Sequence, residues 1–208
     1  MREALVTMLR MQDRMNTRVH DQWRSQGFAW HRAIWIECAE LIDHHGYKWW
    51  KHQEPDLAQV QLEIVDIWHF GMSALLVEYE AAGSVQTLVQ AIEESWNTPR
   101  AGAGIVESAE QLAGTAAGEA RFDVGQFAQL VDASGLGFTE LFRQYLGKNV
   151  LNFFRQDHGY KEGTYLKQWG GREDNEHLVE LLADVDTQAK DAEQRLYGAL
   201  SERYSMVS

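Results

Sequence analysis

The stretch ECAELIDHHGYKWW, residues 37–50, decides how the chain is read. Glu37 and Glu40 sit three apart inside an otherwise apolar helical pattern that Gly46 then stops. At about 100° per residue, Ile34, Trp35, Cys38, Leu41 and Ile42 form one stripe, and the two acids fall about 100° and 160° from its centre. The next periodic segment repeats the arrangement. Leu57, Val60, Ile64, Ile67, Trp68 and Leu75 form its stripe, and Glu63 and Asp66, in QLEIVDIWHF, take about the same two offsets.

An i,i+3 pair puts two carboxylates on one helix face about a turn apart. One such pair reads most simply as solvated surface. Two features argue otherwise here. Leu62, Val65 and Phe70 flank Glu63 and Asp66, so that helix is apolar nearly all round and its acids face something other than bulk water. The loop GYKWWKHQEPD between the helices is short, which makes them antiparallel neighbours. Four carboxylates converging between two helices repel one another unless cations occupy the space. Oxygen ligands without His or Cys select a hard ion, and Mg²⁺ is the usual one where phosphates complete the shell.

The rest of the chain frames that site. Its 208 residues, 45% of them hydrophobic, suit a single globular domain spanning 1–208. Two prolines and few β-branched runs point to an all-α fold, a helical bundle with a four-helix-type metal-binding core. The one cysteine, Cys38, excludes a disulfide framework and points to a reducing compartment. The N-terminus has no apolar core of signal-peptide length, and no uninterrupted apolar run reaches the roughly 18 residues of a membrane span. A soluble, cytoplasmic protein with no membrane partner is expected. A net charge of −12 argues against nucleic acid as partner.

Helices are expected at about 3–22, 28–44, 56–80, 84–96, 122–133, 139–157 and 174–200, with Pro55 in the first turn of the third. From Gly83 to Gly147 the sequence turns Gly/Ala-rich, as in AGAGIVESAEQLAGTAAGEA. Residues 83–137 therefore read as a looser helical lobe beside a rigid core of 1–80 and 138–208, and as a segment able to close over substrate.

One basic segment stands out in the acidic chain. Between Lys148 and Arg172 five cations face two acids, a local balance of +3. Lys148, Asn152 and Arg155 share a helix face, and Tyr160, Lys161, Tyr165 and Lys167 follow in a glycine-punctuated loop. These groups suit the side of a polyphosphate chain away from a metal. Trp49 or Trp50 is placed to stack on a base, and Gln12 and Asn16, at i,i+4, offer amides that can pair with a base edge. His44, His45, His69 and His158 lack a common metal spacing and read as structural. No phosphate-binding glycine loop is present, which disfavours P-loop and dinucleotide folds.

These residues together carry a resemblance. The paired E-x-x-[ED] motifs resemble those of the all-α nucleoside triphosphate pyrophosphatases. ECAELIDHHGYKWWK, LEIVDIWHF and LNFFRQDHGYKEGTYLKQWGGREDN look more narrowly like the dimeric dUTPases, with MQDRMN a shorter match. The resemblance implies a Mg²⁺-dependent homodimer, with two or more ions per site, that hydrolyses dUTP, and also dUDP, to dUMP. Such an enzyme limits uracil in DNA. It further implies that Glu37, Glu40, Glu63 and Asp66 hold the ions, with Glu37 orienting or deprotonating the attacking water. Gln12, Asn16 and Trp49 would bind uracil. Asn152, Arg155, Tyr160, Lys161, Lys167 and Asn175 would bind phosphates and sugar. The alternatives are a related pyrophosphatase acting on dCTP or another deoxynucleotide, and a nucleotide-binding regulatory protein without turnover.

Overall fold

Helix α3, Leu57–Glu78, runs through the middle of the protein, and the fold is best described outward from it. The computed structural model describes residues 1–80 and 84–206. Gly83, the expected edge of the looser lobe, lies outside the described residues. Val60, Ile64, Ile67, Trp68 and Met72 of α3 are fully buried, and Val65 on another face is as well. By length and composition α3 would suffice to cross a membrane, but 67% of that window is buried inside this protein. It is the core helix of a bundle. Asp56 caps its start by accepting from Gln59 N, so Pro55 precedes the cap instead of opening the first turn.

Around α3 pack α1 (Arg2–Val19), α2 (Trp30–His45), α6 (Val124–Ser134) and α7 (Phe138–Asp157). Helix α2 lies along α3 on one side, as the short loop requires. Its own core face is narrow. Only Ile34, Cys38 and Leu41 are buried, while Trp35, expected in the stripe, is 38% exposed. At about 100° per residue Trp35 falls about 20° beyond Ile42, which is itself only partly buried, and the covered arc ends short of it. Helix α4 (Val85–Trp96) completes this half, capped by Ser84, which accepts from Thr87 N.

The Gly/Ala-rich stretch differs from expectation. Residues Ile105–Glu119 form a further helix, α5, packed on α2. Ser108, Ala109, Leu112, Thr115 and Ala116 recur at helical spacing on its buried face, while Gly114 and Gly118 look onto open space. Two glycines and a threonine are poor helix formers. Here tertiary packing overrides propensity, and small residues let the helix approach closely. Ala109, Leu112 and Ala116 join the same hydrophobic cluster as Trp68, Tyr145 and Leu196, so 84–137 shares one core with the rest. Trp68 stacks on Phe127 of α6 with ring centroids 4.9 Å apart, a contact worth about 1 kcal/mol beyond its area. Gly71 of α3 is needed nearby, because a Cβ there would collide with the Phe122 ring.

Beyond α7 the chain makes a two-residue hairpin, β1 (Gln168–Trp169) against β2 (Arg172–Glu173). Gly170 and Gly171 have φ of 58° and 84°, the left-handed pair that such a turn demands. The expected closing helix is two helices, α8 (Asp174–Ala183) and α9 (Ala192–Ser205). Three aspartates, Asp184, Asp186 and Asp191, lie between them, and Asp186 accepts from Gln188 N in a local turn. Such side-chain competition for backbone donors ends helices.

Candidate active site

Glu37 of α2 and Glu63 and Asp66 of α3 bring one carboxylate oxygen each to within 4.8 Å of one another. The i,i+3 spacing on α3 sets two of them on the face turned to α2, and α2 supplies the third. Glu40, the fourth acid, is exposed and lies outside this trio, although its charge still acts on Glu37 and Glu63. The structure thus joins three of the predicted acids and leaves the fourth at the rim. Asp66 holds about the same offset on α3 and joins the trio, so the angle from the stripe does not by itself decide which acids converge.

Like charges held this closely act on each other. Burial, then the charges of Asp66 and Glu63, push Glu37 up to about 8. Burial and Asp66 also raise Glu63, while Lys148 pulls it down. Only two side-chain cations or potential cations touch the trio among the described residues. Lys148 Nζ of α7 donates to Asp66 Oδ2 at 2.8 Å, and His44 Nε2 lies 3.4 Å from Glu63 Oε1. The trio is therefore short of positive charge, and its donors are all oxygens. That donor set fits a hard divalent cation.

A cavity of about 250 Å³ abuts the trio and shares Asp66 with it. Gln12, Met15, Asn16 and Val19 of α1 form one wall, His69 and Phe70 of α3 another, and Asn152 of α7 a third. Trp23 and Phe28 from the segment between α1 and α2, with Trp30 at the start of α2, make its apolar end. Edge-to-face packing holds that end together, with Trp23–Trp30 at 6.0 Å and Phe28–Trp30 at 5.5 Å. The sequence QWRSQGFAW carried this signal as three large aromatics in nine residues directly after the Gln12/Asn16 helix. Trp49, in contrast, is 91% exposed and does not line the cavity. Gly46 ends α2 with φ 92°, and tight backbone turns at Tyr47–Trp49 and Lys48–Lys51 carry the loop into solvent.

Both predicted amides are buried at the cavity wall, and their bonding differs. Gln12 uses its whole capacity inside the protein. Its Nε2 donates to Asn16 Oδ1 and Ser73 Oγ, each at 3.0 Å, while its Oε1 contacts His69 Nδ1 at 2.8 Å and accepts from the Tyr145 hydroxyl at 3.0 Å. Gln12 has nothing left for a ligand. Asn16 donates once, to Ser73 Oγ at 2.9 Å, and keeps one N–H and one lone pair.

The basic segment is split. Arg155 is buried and paired with the fully buried Asp174 through two bonds of 2.8 Å, Nε to Oδ2 and Nη2 to Oδ1. Its Nη1 reaches Asn152 Oδ1 at 3.4 Å, which ties it to the cavity wall. Tyr165 also donates to Asp174 Oδ2 at 2.8 Å, so the acid is a bracket for both side chains. Tyr160 is half-exposed beneath the Arg155 guanidinium, 5.8 Å from it. Lys161 and Lys167 are exposed, the first reaching Val19 O and the second Glu173. Asn175 keeps a buried Oδ1 with no partner. Asp174, Ser73 and Tyr145 are site-shaping residues to which the sequence alone assigns no role, while Lys148 and Tyr165, expected on the phosphate side, bond to Asp66 and Asp174. Asp174 stands in the sequence as one of a run of acids just past the basic segment. Nothing local marked Ser73 or Tyr145.

No curated relative matches the chain. The family model described as dUTPase matches residues 4–160, a span that takes in α1 through α7 with the acid trio, the cavity and the Lys148–Arg155 face. The chain belongs to the dUTPase family.

Proposed function

We propose that this dUTP diphosphatase works with Mg²⁺ held by Glu37, Glu63 and Asp66, with Glu40 joining from the rim when two or more ions are bound. One observation carries the reading: three oxygen donors within 4.8 Å of one another with too little positive charge around them. When bound, the metal would offset the charge of the triphosphate and polarise its phosphorus. The chain's own residues do the remainder. The uracil enters the aromatic cavity, where Trp23, Phe28, Trp30 and Phe70 supply apolar surface and Asn16 supplies one N–H and one carbonyl lone pair. Arg155, aimed by Asp174, and the exposed Lys161 and Lys167 meet phosphate charge. Burial and the neighbouring acids hold a proton on Glu37 in the metal-free protein; a bound cation would favour its ionised form, which would then take the proton of the attacking water. The water oxygen bonds to the β-phosphorus, the bond from that phosphorus to the oxygen of the α-phosphate breaks, and dUMP and pyrophosphate leave. With dUDP the same step gives dUMP and phosphate.

We also propose that two chains pair. Trp35 and Ile36 of α2, Trp50 of the loop after it and Leu57 at the start of α3 are exposed apolar side chains that pairing would cover. The test of function is release of pyrophosphate from dUTP and of phosphate from dUDP, with Mg²⁺ and with chelator. Turnover that survives chelation, or that survives Glu37→Gln, contradicts the proposed mechanism.

A further inference from the structure

Selectivity between uracil and cytosine is a question of which way round an amide is presented. Uracil offers N3–H as donor and O4 as acceptor, whereas cytosine offers N3 as acceptor and its N4 amino group as donor. An asparagine that can rotate its amide by half a turn serves either base. One that cannot serves a single base.

In this protein a backbone carbonyl settles the matter. Ser73 Oγ lies 2.9 Å from His69 O, and a carbonyl only accepts, so the single hydroxyl proton of Ser73 is committed to it. Ser73 Oγ must then accept from both of its other neighbours, Gln12 at 3.0 Å and Asn16 at 2.9 Å. Both amides therefore turn nitrogen towards Ser73. The second Gln12 N–H goes to Asn16 Oδ1, and Gln12 Oε1 then accepts from His69 Nδ1, with the Tyr145 hydroxyl dividing its one proton between that oxygen and Met8 O at 3.1 Å. His69 is thus held as the tautomer with a bare Nε2, a buried acceptor without a partner in the cavity wall. Burial keeps that ring neutral, with its pKa lowered to about 3. Reversing Asn16 would set its oxygen against Ser73 Oγ and its nitrogen against the nitrogen of Gln12, leaving buried groups unpaired.

Resting on the reading of this cavity as the base pocket, we infer that Ser73 is a specificity-determining positioning residue: it fixes the amide of Asn16 so that uracil is accepted and cytosine rejected. Its own hydroxyl is fully used within the network and does not touch the base.

The experiment measures kcat and KM for dUTP and dCTP with Mg²⁺ in the wild type, Ser73→Ala and Ser73→Thr. The alanine variant frees both amides and should lower the dUTP-to-dCTP ratio of kcat/KM about tenfold or more, the size expected for one buried polar group losing its partner. The change should appear as a higher KM for dUTP and a gain with dCTP, while threonine, which keeps the hydroxyl, retains the ratio. Equal losses on both substrates, or an unmoved ratio in a folded alanine variant, overturn the inference. Should alanine impair folding, Ser73→Cys at similar volume but with a weak acceptor should give an intermediate ratio, and a wild-type ratio there overturns it too. A wild type that shows no preference for dUTP instead overturns the base-pocket reading itself.

Discussion

Lys148 Nζ and Asp66 Oδ2 lie 2.8 Å apart, so α7 sends one cation into the acid cluster that α2 and α3 build. The lysine is mostly buried and the aspartate partly so, which places the pair between a weak surface bridge and a costly buried one. Lys148→Met keeps the stem and removes the charge. Without added metal it should lower stability by roughly 1–3 kcal/mol and the melting temperature by several degrees. Added Mg²⁺ should recover a larger share of stability in the variant than in the wild type, read by calorimetric melts with and without the ion.

The raised Glu37 makes stability depend on pH in a defined direction. Its folded value, about 8, stands above the ordinary 4.5, so the folded state holds a proton that the unfolded chain has released over that window. This contribution is fully present below about pH 4.5 and is lost as pH rises through about 8. Metal-free protein should therefore lose stability between pH 6 and pH 8.5, and Mg²⁺ should oppose the loss while releasing protons. Glu37→Gln should flatten the profile, stabilise the metal-free protein at pH 8 and lower turnover at least about a hundredfold.

Arg155 and Asp174 form the most enclosed ion pair described in the protein. Asp174→Asn leaves the guanidinium buried against a neutral partner and frees the Tyr165 hydroxyl as well. A loss of about 3–5 kcal/mol is expected in urea unfolding. At temperatures where the variant stays folded, KM for dUTP should rise, because Arg155 is no longer aimed at the Asn152 side of the cavity.

Pairing of two chains is tested in solution. Sedimentation should give a species of twice 23.8 kDa, and replacing Trp50 and Leu57 with serine should shift it towards the single chain. A wild type that sediments as one chain at tens of micromolar contradicts the pairing.

What the sequence made legible follows the physics of each feature. The i,i+3 acids and the apolar stripes of α2 and α3 are local periodicities, and the convergence of Glu37, Glu63 and Asp66 could be read from them. Trp35 and Glu40 mark the limit, since helical angles do not say how wide the covered arc is. Helix α5 was hidden because its glycines and threonine argue against a helix that only packing on α2 supports. The break between α8 and α9 is hidden because Leu181, Val185, Ala189 and Ala192 keep helical spacing across the aspartates of 184–191. The cavity was legible only at one wall. Gln12 and Asn16 were found, but their different roles depend on Ser73, His69 and Tyr145, which lie 57 to 133 residues away in sequence. Trp49 is expected at a base because aromatics near nucleotides stack; the structure sets it in solvent and lines the cavity with Trp23, Phe28 and Trp30.

The most direct measurement is anomalous diffraction from crystals soaked with Mn²⁺, in place of Mg²⁺, and a nonhydrolysable dUTP analogue. The account predicts an anomalous peak between Glu37, Glu63 and Asp66, with carboxylate oxygens about 2.1 Å away and the uracil ring in the cavity against Asn16. A nucleotide bound with no metal between those three carboxylates, or a metal held elsewhere, would contradict it.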